Sequence, residues 1–263
     1  MLGTSTFHAG RVLSAMLGGI LLIGTPYVLR SPDGAPPPVP TAASPVPDTV
    51  NSLTEAEREA GWRLLFDGTS LDGWRGYQRD SVPDGWIVEA SAIHFEGEGS
   101  NSTTLITTDT FDHFELRIEW KISPGGNSGI IYRATEDKKD PYRTGPEFQV
   151  LDNAVLDNPS GSVHQAGALY GLYAPAKDVT RPVGEYNEAR IVVRGNHVEH
   201  WMNGTKLLEA EIGSEAWKER VAGTKFANYN AFVEAETGHI ALQDHGHPVW
   251  YRDIKLRPLS LSS

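Results

Sequence analysis

FELRIEWKI, residues 114–122, alternates apolar and charged side chains without a break. Because successive side chains of a β-strand point to opposite faces, this pattern predicts a strand with one buried face. Shorter runs with the same period of two occur along the chain: Trp86–Phe95, Gly129–Arg133, Glu147–Leu151, Ala189–Arg194, His197–Met202, Lys206–Ile212, His239–Gln243 and Val249–Leu256. Many short strands between glycine-rich turns predict an all-β fold, a jelly-roll β-sandwich.

Turn and capping residues add detail to this fold. Asn203-Gly204 joins two of the runs and is a favoured two-residue hairpin turn, because both residue types tolerate positive φ. Thr54, with Glu57 three residues later, predicts a capping box at the start of a short helix. Residues 214–221 predict a second short helix. We therefore expect short helices at the periphery of the sandwich.

The N-terminal part of the chain differs in composition from the rest. Residues 1–30 contain the apolar run Val12–Leu29, flanked by arginines, which indicates either a signal peptide or an N-terminal membrane anchor. Residues 31–51 are rich in proline and predict a disordered linker. The folded domain is expected over residues 52–263. We expect an exported protein of the periplasm or cell envelope, and residues 12–29 are a candidate membrane tether.

Composition excludes several functional classes. The chain has 263 residues and a formal net charge of -11 at pH 7, with 34 acidic and 23 basic side chains. Because nucleic-acid affinity depends on Lys and Arg that neutralise phosphates, we do not expect a nucleic-acid partner. The absence of cysteine excludes disulfides, a thiol nucleophile and a thiolate metal site. No feature of the sequence indicates a partner protein.

Glu147 and Gln149 are the clearest candidates for a functional pair. They alternate with Phe148 and Val150 on one predicted strand, so both polar side chains point to the same face. Such a pair suits acid–base catalysis or recognition of sugar hydroxyls. The alternative is an ordinary exposed face of the sheet.

Further candidates are spread over several segments. His164 could act as a general base or metal ligand, because imidazole titrates near neutrality. His245 and His247 close a histidine-rich segment, but a pair of histidines without a third ligand does not define a metal site. Arg133 could bind Glu147 or a substrate oxygen. Trp74, in a glycine-rich segment, could stack on a sugar ring.

Five separated motifs, in this order along the chain, resemble the 3-keto-disaccharide hydrolase family, formerly a domain of unknown function. They are Leu64–Trp74, Asn127–Ile130, Gly145–Asp152, His200–Gly204 and Gly238–Gly246. The resemblance implies a concanavalin A-like lectin/glucanase jelly roll in exported bacterial proteins. It also implies hydrolase activity on a carbohydrate substrate, a glycoside already oxidised to a ketone at C3 of the sugar.

A 3-keto group acidifies the C2 proton, so a base can remove it, the C1 substituent can leave and water can then add. For this reaction we expect Glu147 or His164 as the base. His245 or a divalent cation would stabilise the enolate, and no cofactor other than this alternative metal ion is expected. The residues expected to contact the substrate are Asn127, Arg133, Gln149, Asp152, Tyr170, Gln243 and Trp74.

Two other functions remain open at this point. A non-catalytic carbohydrate-binding module would need aromatic platforms and hydrogen-bonding groups but no base. A conventional glucanase would need a second carboxyl group about 5–9 Å from Glu147, for which Asp152 and Asp244 are candidates.

Overall fold

The computed structural model describes residues 49–97 and 104–260. The predicted signal or anchor segment and nearly all of the proline-rich linker lie outside these residues. In the part of the chain that is described, no helix has the length and apolar character needed to cross a membrane.

Strands dominate the described residues. In chain order they are β1 (Arg63–Leu64), β2 (Trp74–Gly76), β3 (Trp86–Glu89), β4 (Ala92–Phe95), β5 (Leu105–Thr107), β6 (Phe114–Ile122), β7 (Asn127–Ala134), β8 (Glu147–Leu151), β9 (Asn187–Arg194), β10 (His197–Met202), β11 (Thr205–Glu211), β12 (His239–Leu242) and β13 (Val249–Pro258). The α-helices are α1 (Glu55–Glu59) and α2 (Glu215–Ala222), and the short 3-10 helices are η1 (Pro141–Arg143), η2 (Asn153–Val155) and η3 (Lys225–Asn228).

Two antiparallel sheets pack face to face. The eight-stranded sheet has the order β11-β10-β9-β6-β13-β4-β3, with β1 paired to β13, and the five-stranded sheet has the order β2-β5-β12-β7-β8. The predicted all-β jelly-roll sandwich with short peripheral helices is confirmed.

The alternation of residues 114–122 has the predicted structural basis. Phe114, Leu116, Ile118 and Trp120 point into the core between the sheets, where each is at most 1% exposed. The charged residues between them lie on the outer face of the eight-stranded sheet. β6 pairs with β9 on one side and β13 on the other, so the period of two places one face in the core.

One predicted strand is wrong. The run Trp86–Phe95 is not continuous but folds as a hairpin of β3 and β4. Ala90 and Ser91 form its turn with φ values of 48° and 58°. Positive φ at both central residues is the geometry of a two-residue hairpin turn, although neither residue type favours it. The residue types Ala90 and Ser91 therefore did not indicate a turn in the sequence.

The predicted caps and the second turn are present. Thr54 and Glu57 form a capping box at α1, and the Ser214 side chain accepts a hydrogen bond from the backbone N–H of Trp217 at the start of α2. Asn203 and Gly204 have φ values of 48° and 75° in the turn between β10 and β11.

The outer face of the five-stranded sheet is covered in part. Ile106, Ile131 and Ala241 point outward from it and pack with Tyr77, while Tyr142 of η1 packs against this cluster. Residues 162–173 run beside β8 and pair with its backbone. Because this segment and η1 cover the sheet on two sides, the polar residues of β7, β8 and β12 between them line a cavity.

Candidate active site

A cavity of about 370 Å³ lies on the outer face of the five-stranded sheet. Most side chains at its wall are polar. Six residues predicted from the sequence to act on a substrate line it together: Asn127, Glu147, Gln149, Tyr170, Gln243 and His245. Alternation along β7, β8 and the end of β12 explains how residues distant in sequence converge here, since neighbouring strands present the same face.

Glu147 is the chemically unusual group in this cavity. Its side chain is 6% exposed, and burial raises its pKa from 4.5 to about 8, while the positive charge of Lys225 acts in the opposite direction. A carboxyl group with a pKa close to neutrality can exchange a proton with substrate at physiological pH.

Gly129 makes room for the Glu147 carboxylate. It lies on β7 beside β8, and a Cβ atom built at this position would overlap with Oε1 of Glu147. Glycine thus lets the carboxylate pass directly over the neighbouring backbone, and a larger residue would force the carboxylate to shift. In the motif Asn127-Ser128-Gly129, Asn127 thus contributes its side chain to the cavity wall, and Gly129 leaves space for the Glu147 carboxylate.

Gln149 presents a free acceptor. Its Nε2 donates to Oδ1 of Asn127 at 3.1 Å, whereas its Oε1 is buried and has no hydrogen-bond partner among the described residues. A buried polar atom without a partner is unfavourable unless a ligand satisfies it. A hydroxyl group bound in this cavity could donate to Gln149 Oε1.

Lys225 lines the cavity and was missed by sequence reasoning. It begins η3, and its Nζ lies 4.6 Å from the ring centroid of Tyr170 and 5.4 Å from that of Tyr142. Among the described residues that line this cavity, it alone carries a permanent positive charge. Nothing local in the sequence Thr224-Lys225-Phe226 signals this role, because the contacts with Tyr142 and Tyr170 are all tertiary.

A buried histidine holds the segment that carries Tyr170. His200 is fully buried in the core, which lowers its pKa to about 4, so the ring is neutral. Its Nδ1 lies 3.2 Å from the carbonyl oxygen of Gly167 and its Nε2 lies 3.1 Å from the hydroxyl of Tyr132. The backbone N–H of Tyr170 in turn donates to the carbonyl of Glu147 at 3.0 Å. These hydrogen bonds connect His200 in the core with the segment that brings Tyr170 to the cavity wall.

The end of β12 forms the rim of the cavity. Asp244 accepts a hydrogen bond from the backbone N–H of Gly246 at 3.0 Å, and His245 is exposed. The ring of His247 contacts the carbonyl oxygen of His245 rather than a shared ligand position. The two histidines thus do not converge on one point.

The structure places four of the predicted residues elsewhere. His164 is exposed, packs on the ring of Tyr170 at 5.2 Å and lines a neighbouring cavity. Asp152 accepts hydrogen bonds from the backbone N–H groups of Gly125 and Ala154, and lines a different cavity. Both side chains are therefore outside the wall around Glu147.

Arg133 and Trp74, which were predicted to contact the substrate, are both buried away from the cavity. Arg133 has φ 55° at an irregularity of β7, and its Nη2 donates to the carbonyl of Gly195 at 2.7 Å, so it does not bind Glu147. Trp74 points into the core with 4% exposure, and its Nε1 donates to the carbonyl of Leu65 at 2.6 Å. It has no free face for a sugar.

A metal site does not assemble around Glu147 in the described residues. Within residues 49–97 and 104–260, the potential ligands that approach one another as a trio are His197, Glu199 and Glu209, on β10 and β11 of the opposite sheet. Lys206 Nζ already bonds to both of these carboxylates. The cluster is explained as an ordinary ion-pair network on an outer face.

Comparison with known proteins extends these observations. The model of the 3-keto-alpha-glucoside-1,2-lyase-like domain matches residues 61–257. The chain is 34% identical over 230 residues to the 3-keto-disaccharide hydrolase of Bacteroides thetaiotaomicron, covering 76% of this chain and 79% of that relative.

Two solved structures from Parabacteroides distasonis, both provisionally named glycosyl hydrolases, share the fold. One is 32% identical, with a TM-score of 0.73, over 80% of this chain and 100% of its own. The other is 26% identical, with a TM-score of 0.52, over 75% of this chain and 99% of its own. Sequence motifs, sandwich and polar cavity agree with these matches: the chain belongs to the family of 3-keto-alpha-glucoside-1,2-lyase-like domains and is a glycoside-cleaving enzyme.

Proposed function

We propose that this enzyme cleaves glycosides whose sugar carries a ketone at C3, by elimination and hydration. Glu147 removes the proton at C2, and the electrons of the C–H bond form an enolate with the C3 carbonyl. The enolate then expels the C1 substituent, whose oxygen takes up a proton, and leaves an enone. Water adds to C1 of the enone and a proton returns to C2.

The observation that carries this proposal is the buried Glu147 carboxyl group with a pKa of about 8. Desolvation makes its carboxylate a stronger base than an exposed one, which suits removal of a weakly acidic C–H proton. A group with this pKa also passes the removed proton to solvent, so the proton that returns to C2 in the hydration step comes from water.

Lys225 supplies the second requirement of the reaction. The enolate develops negative charge on the C3 oxygen, and a cation held beside this oxygen stabilises it. Lys225 lines the same cavity as Glu147 and its charge influences the pKa of that residue. We assign it the role first expected of His245 or a divalent cation.

The amide side chains fit a sugar substrate. Asn127, Gln149 and Gln243 line the cavity beside Glu147, and Gln149 Oε1 needs a donor. Sugar hydroxyls donate and accept hydrogen bonds, so such groups can fix the ring with its C2–H bond towards the base. This positioning limits the reaction to a correctly oriented sugar.

The test uses the purified protein, a 3-keto-glucoside and its unoxidised parent, in H2O and in D2O. We expect release of the aglycone from the keto compound only, and one deuterium at C2 of the early product, beyond exchange in an enzyme-free control. Conventional two-carboxylate hydrolysis cleaves C1–O without touching C2. Equal cleavage of both compounds, or a product with its original C2 proton, would refute the elimination route.

A further inference from the structure

A second cavity of about 360 Å³ adjoins the one that contains Glu147. Tyr170 and Lys225 line both cavities, so these two side chains form their common wall. A substrate that places its sugar beside Glu147 can extend past this wall only if its C1 substituent enters the second cavity or leaves towards solvent. The second cavity is therefore the neighbouring space in which a leaving group can bind.

Aromatic and aliphatic groups shape this second cavity. Phe226 is 4% exposed and meets the ring of Tyr170 edge to face at 6.5 Å, and Val163 contributes an aliphatic side chain. Gly171, at φ 71°, lets the backbone approach Phe226, since a Cβ atom here would lie 2.9 Å from Cε2 of that ring. The wall of the second cavity is therefore mostly apolar.

The second cavity offers few polar side chains to a ligand. The Thr224 hydroxyl donates to the carbonyl of Val221 at 2.9 Å and accepts from the backbone N–H of Phe226 at 3.2 Å. The Lys225 ammonium group lies 5.5 Å from the ring centroid of Phe226 and also faces the tyrosines of the first cavity. The exposed side chains of Lys225 and His164 are left as polar groups able to meet a ligand.

The first cavity has more polar side chains in its wall, because Asn127, Gln149 and Gln243 offer amide groups there. A second hexose would bring several hydroxyl groups into the apolar cavity, and few of them would find a partner. A flat aromatic ring needs no such partners. It can pack against the partly buried side chains of Tyr170 and Val163 and receive the favourable contact of a nearby ammonium group.

We propose that this second cavity binds the leaving group and selects an aromatic aglycone over a second hexose, an inference that rests on the proposed function. His164 then contacts the aglycone and is not the base that removes the C2 proton.

The test measures kcat/KM for 4-nitrophenyl 3-keto-glucoside and for 3-keto-cellobiose, whose leaving group is a hexose. Val163→Phe narrows the second cavity, and Val155→Phe makes the same change at an exposed valine that lines neither cavity. For Val163→Phe we expect a loss of about tenfold with the aryl substrate and less than about twofold with the disaccharide. Val155→Phe should change neither rate. Comparing each variant with the unaltered protein removes the intrinsic difference in leaving-group reactivity.

A second variant guards against misfolding of the first. His164→Ala alters an exposed residue, and we expect it to lower the aryl rate by about threefold without affecting the disaccharide. If both variants lower the two rates equally, or if the disaccharide is the more affected, the assignment of the second cavity is wrong.

A binding measurement separates this inference from the proposed function. Calorimetric titration with unoxidised 4-nitrophenyl glucoside and with cellobiose requires no turnover. If the unaltered protein cleaves neither keto compound, the proposed function fails. Even then, weaker binding of the aryl glucoside to Val163→Phe than to the unaltered protein supports the aryl site, and unchanged binding overturns it.

Discussion

Two glutamates are buried on opposite sides of the sandwich, and their surroundings differ. Glu115, on the outer face of the eight-stranded sheet, is 2% exposed and contacts Arg190 at 2.5 Å and Arg257 at 2.6 Å. Burial would raise its pKa, but these arginines outweigh it and hold the pKa below its ordinary value. Glu147, 6% exposed, has no ion pair with any residue that the structure describes, and burial raises its pKa to about 8.

The comparison shows that burial alone does not decide what a carboxyl group does. With arginine partners, the buried carboxylate stays ionised and fixes three strands to one another. Without them, the same side chain becomes a base poised near neutral pH. The first arrangement stabilises the fold, whereas the second destabilises it and enables chemistry. Each of the following predictions tests one side of this difference.

The largest effect is expected for Glu147→Gln. The amide keeps the shape of the side chain but cannot accept the C2 proton, so kcat with a 3-keto-glucoside should fall by about a thousandfold. Steady-state aglycone release measures this loss, and Glu188→Gln on β9 serves as the matched control. Activity within tenfold of the unaltered protein would remove Glu147 from the role of base.

The next largest effect concerns the pH dependence of stability. Because folding raises the pKa of Glu147 from 4.5 to about 8, its contribution to stability is complete below pH 4.5 and is lost as the pH rises towards 8. In this window it lowers the free energy of unfolding by about 1.4 kcal/mol per pH unit. Urea unfolding at pH 6 and pH 8 should show that Glu147→Gln removes this slope.

Glu115 should behave in the opposite way. Its lowered pKa gives a contribution that is present above pH 4.5 and lost as the pH falls. Glu115→Gln leaves the arginines without a carboxylate, and because these are partly exposed we expect a loss of about 2 kcal/mol at pH 7. Chemical denaturation measures it, while kcat per folded molecule should stay unchanged. A large fall in kcat would mean that the two faces are coupled.

The smallest effect is expected for Lys225→Met. Removing the ammonium group weakens stabilisation of the enolate, and kcat/KM should fall about tenfold. Because the charge of Lys225 lowers the pKa of Glu147, the acidic limb of the pH–rate profile should move to higher pH. Lys218→Met on α2, at an exposed ion pair with Glu215, is the control and should leave the profile in place. An unshifted limb in Lys225→Met would exclude electrostatic coupling of the two residues.

Much of the fold could be predicted because its signals are local. The alternation of residues 114–122 predicts which face of β6 is buried, and Thr54 and Ser214 predict where helices begin. The same period of two placed Glu147 and Gln149 on one face. It did not predict that this outer face would be enclosed, because η1 and residues 162–173 cover it through contacts distant in sequence.

The errors at the site have physical causes of the same kind. Arg133 departs from the alternation because β7 is irregular there, which turns the side chain away from Glu147. Trp74 lies beside glycines yet belongs to a short core strand. Lys225 enters the cavity from η3, whose position depends on packing with α2 and the aromatic core. The alternation of side chains along one strand does not predict strand irregularities or the tertiary packing of other segments.

The close passage of the Glu147 carboxylate over Gly129 gives a way to sort relatives by sequence alone. Any β-carbon at that position would displace the carboxylate from its place in the cavity. A homologue that retains the glutamate but has alanine or serine at the position of Gly129 should therefore bind carbohydrate without deprotonating it. Glycine at this position therefore predicts a catalyst, whereas a larger residue predicts a carbohydrate-binding protein of the same fold without this activity.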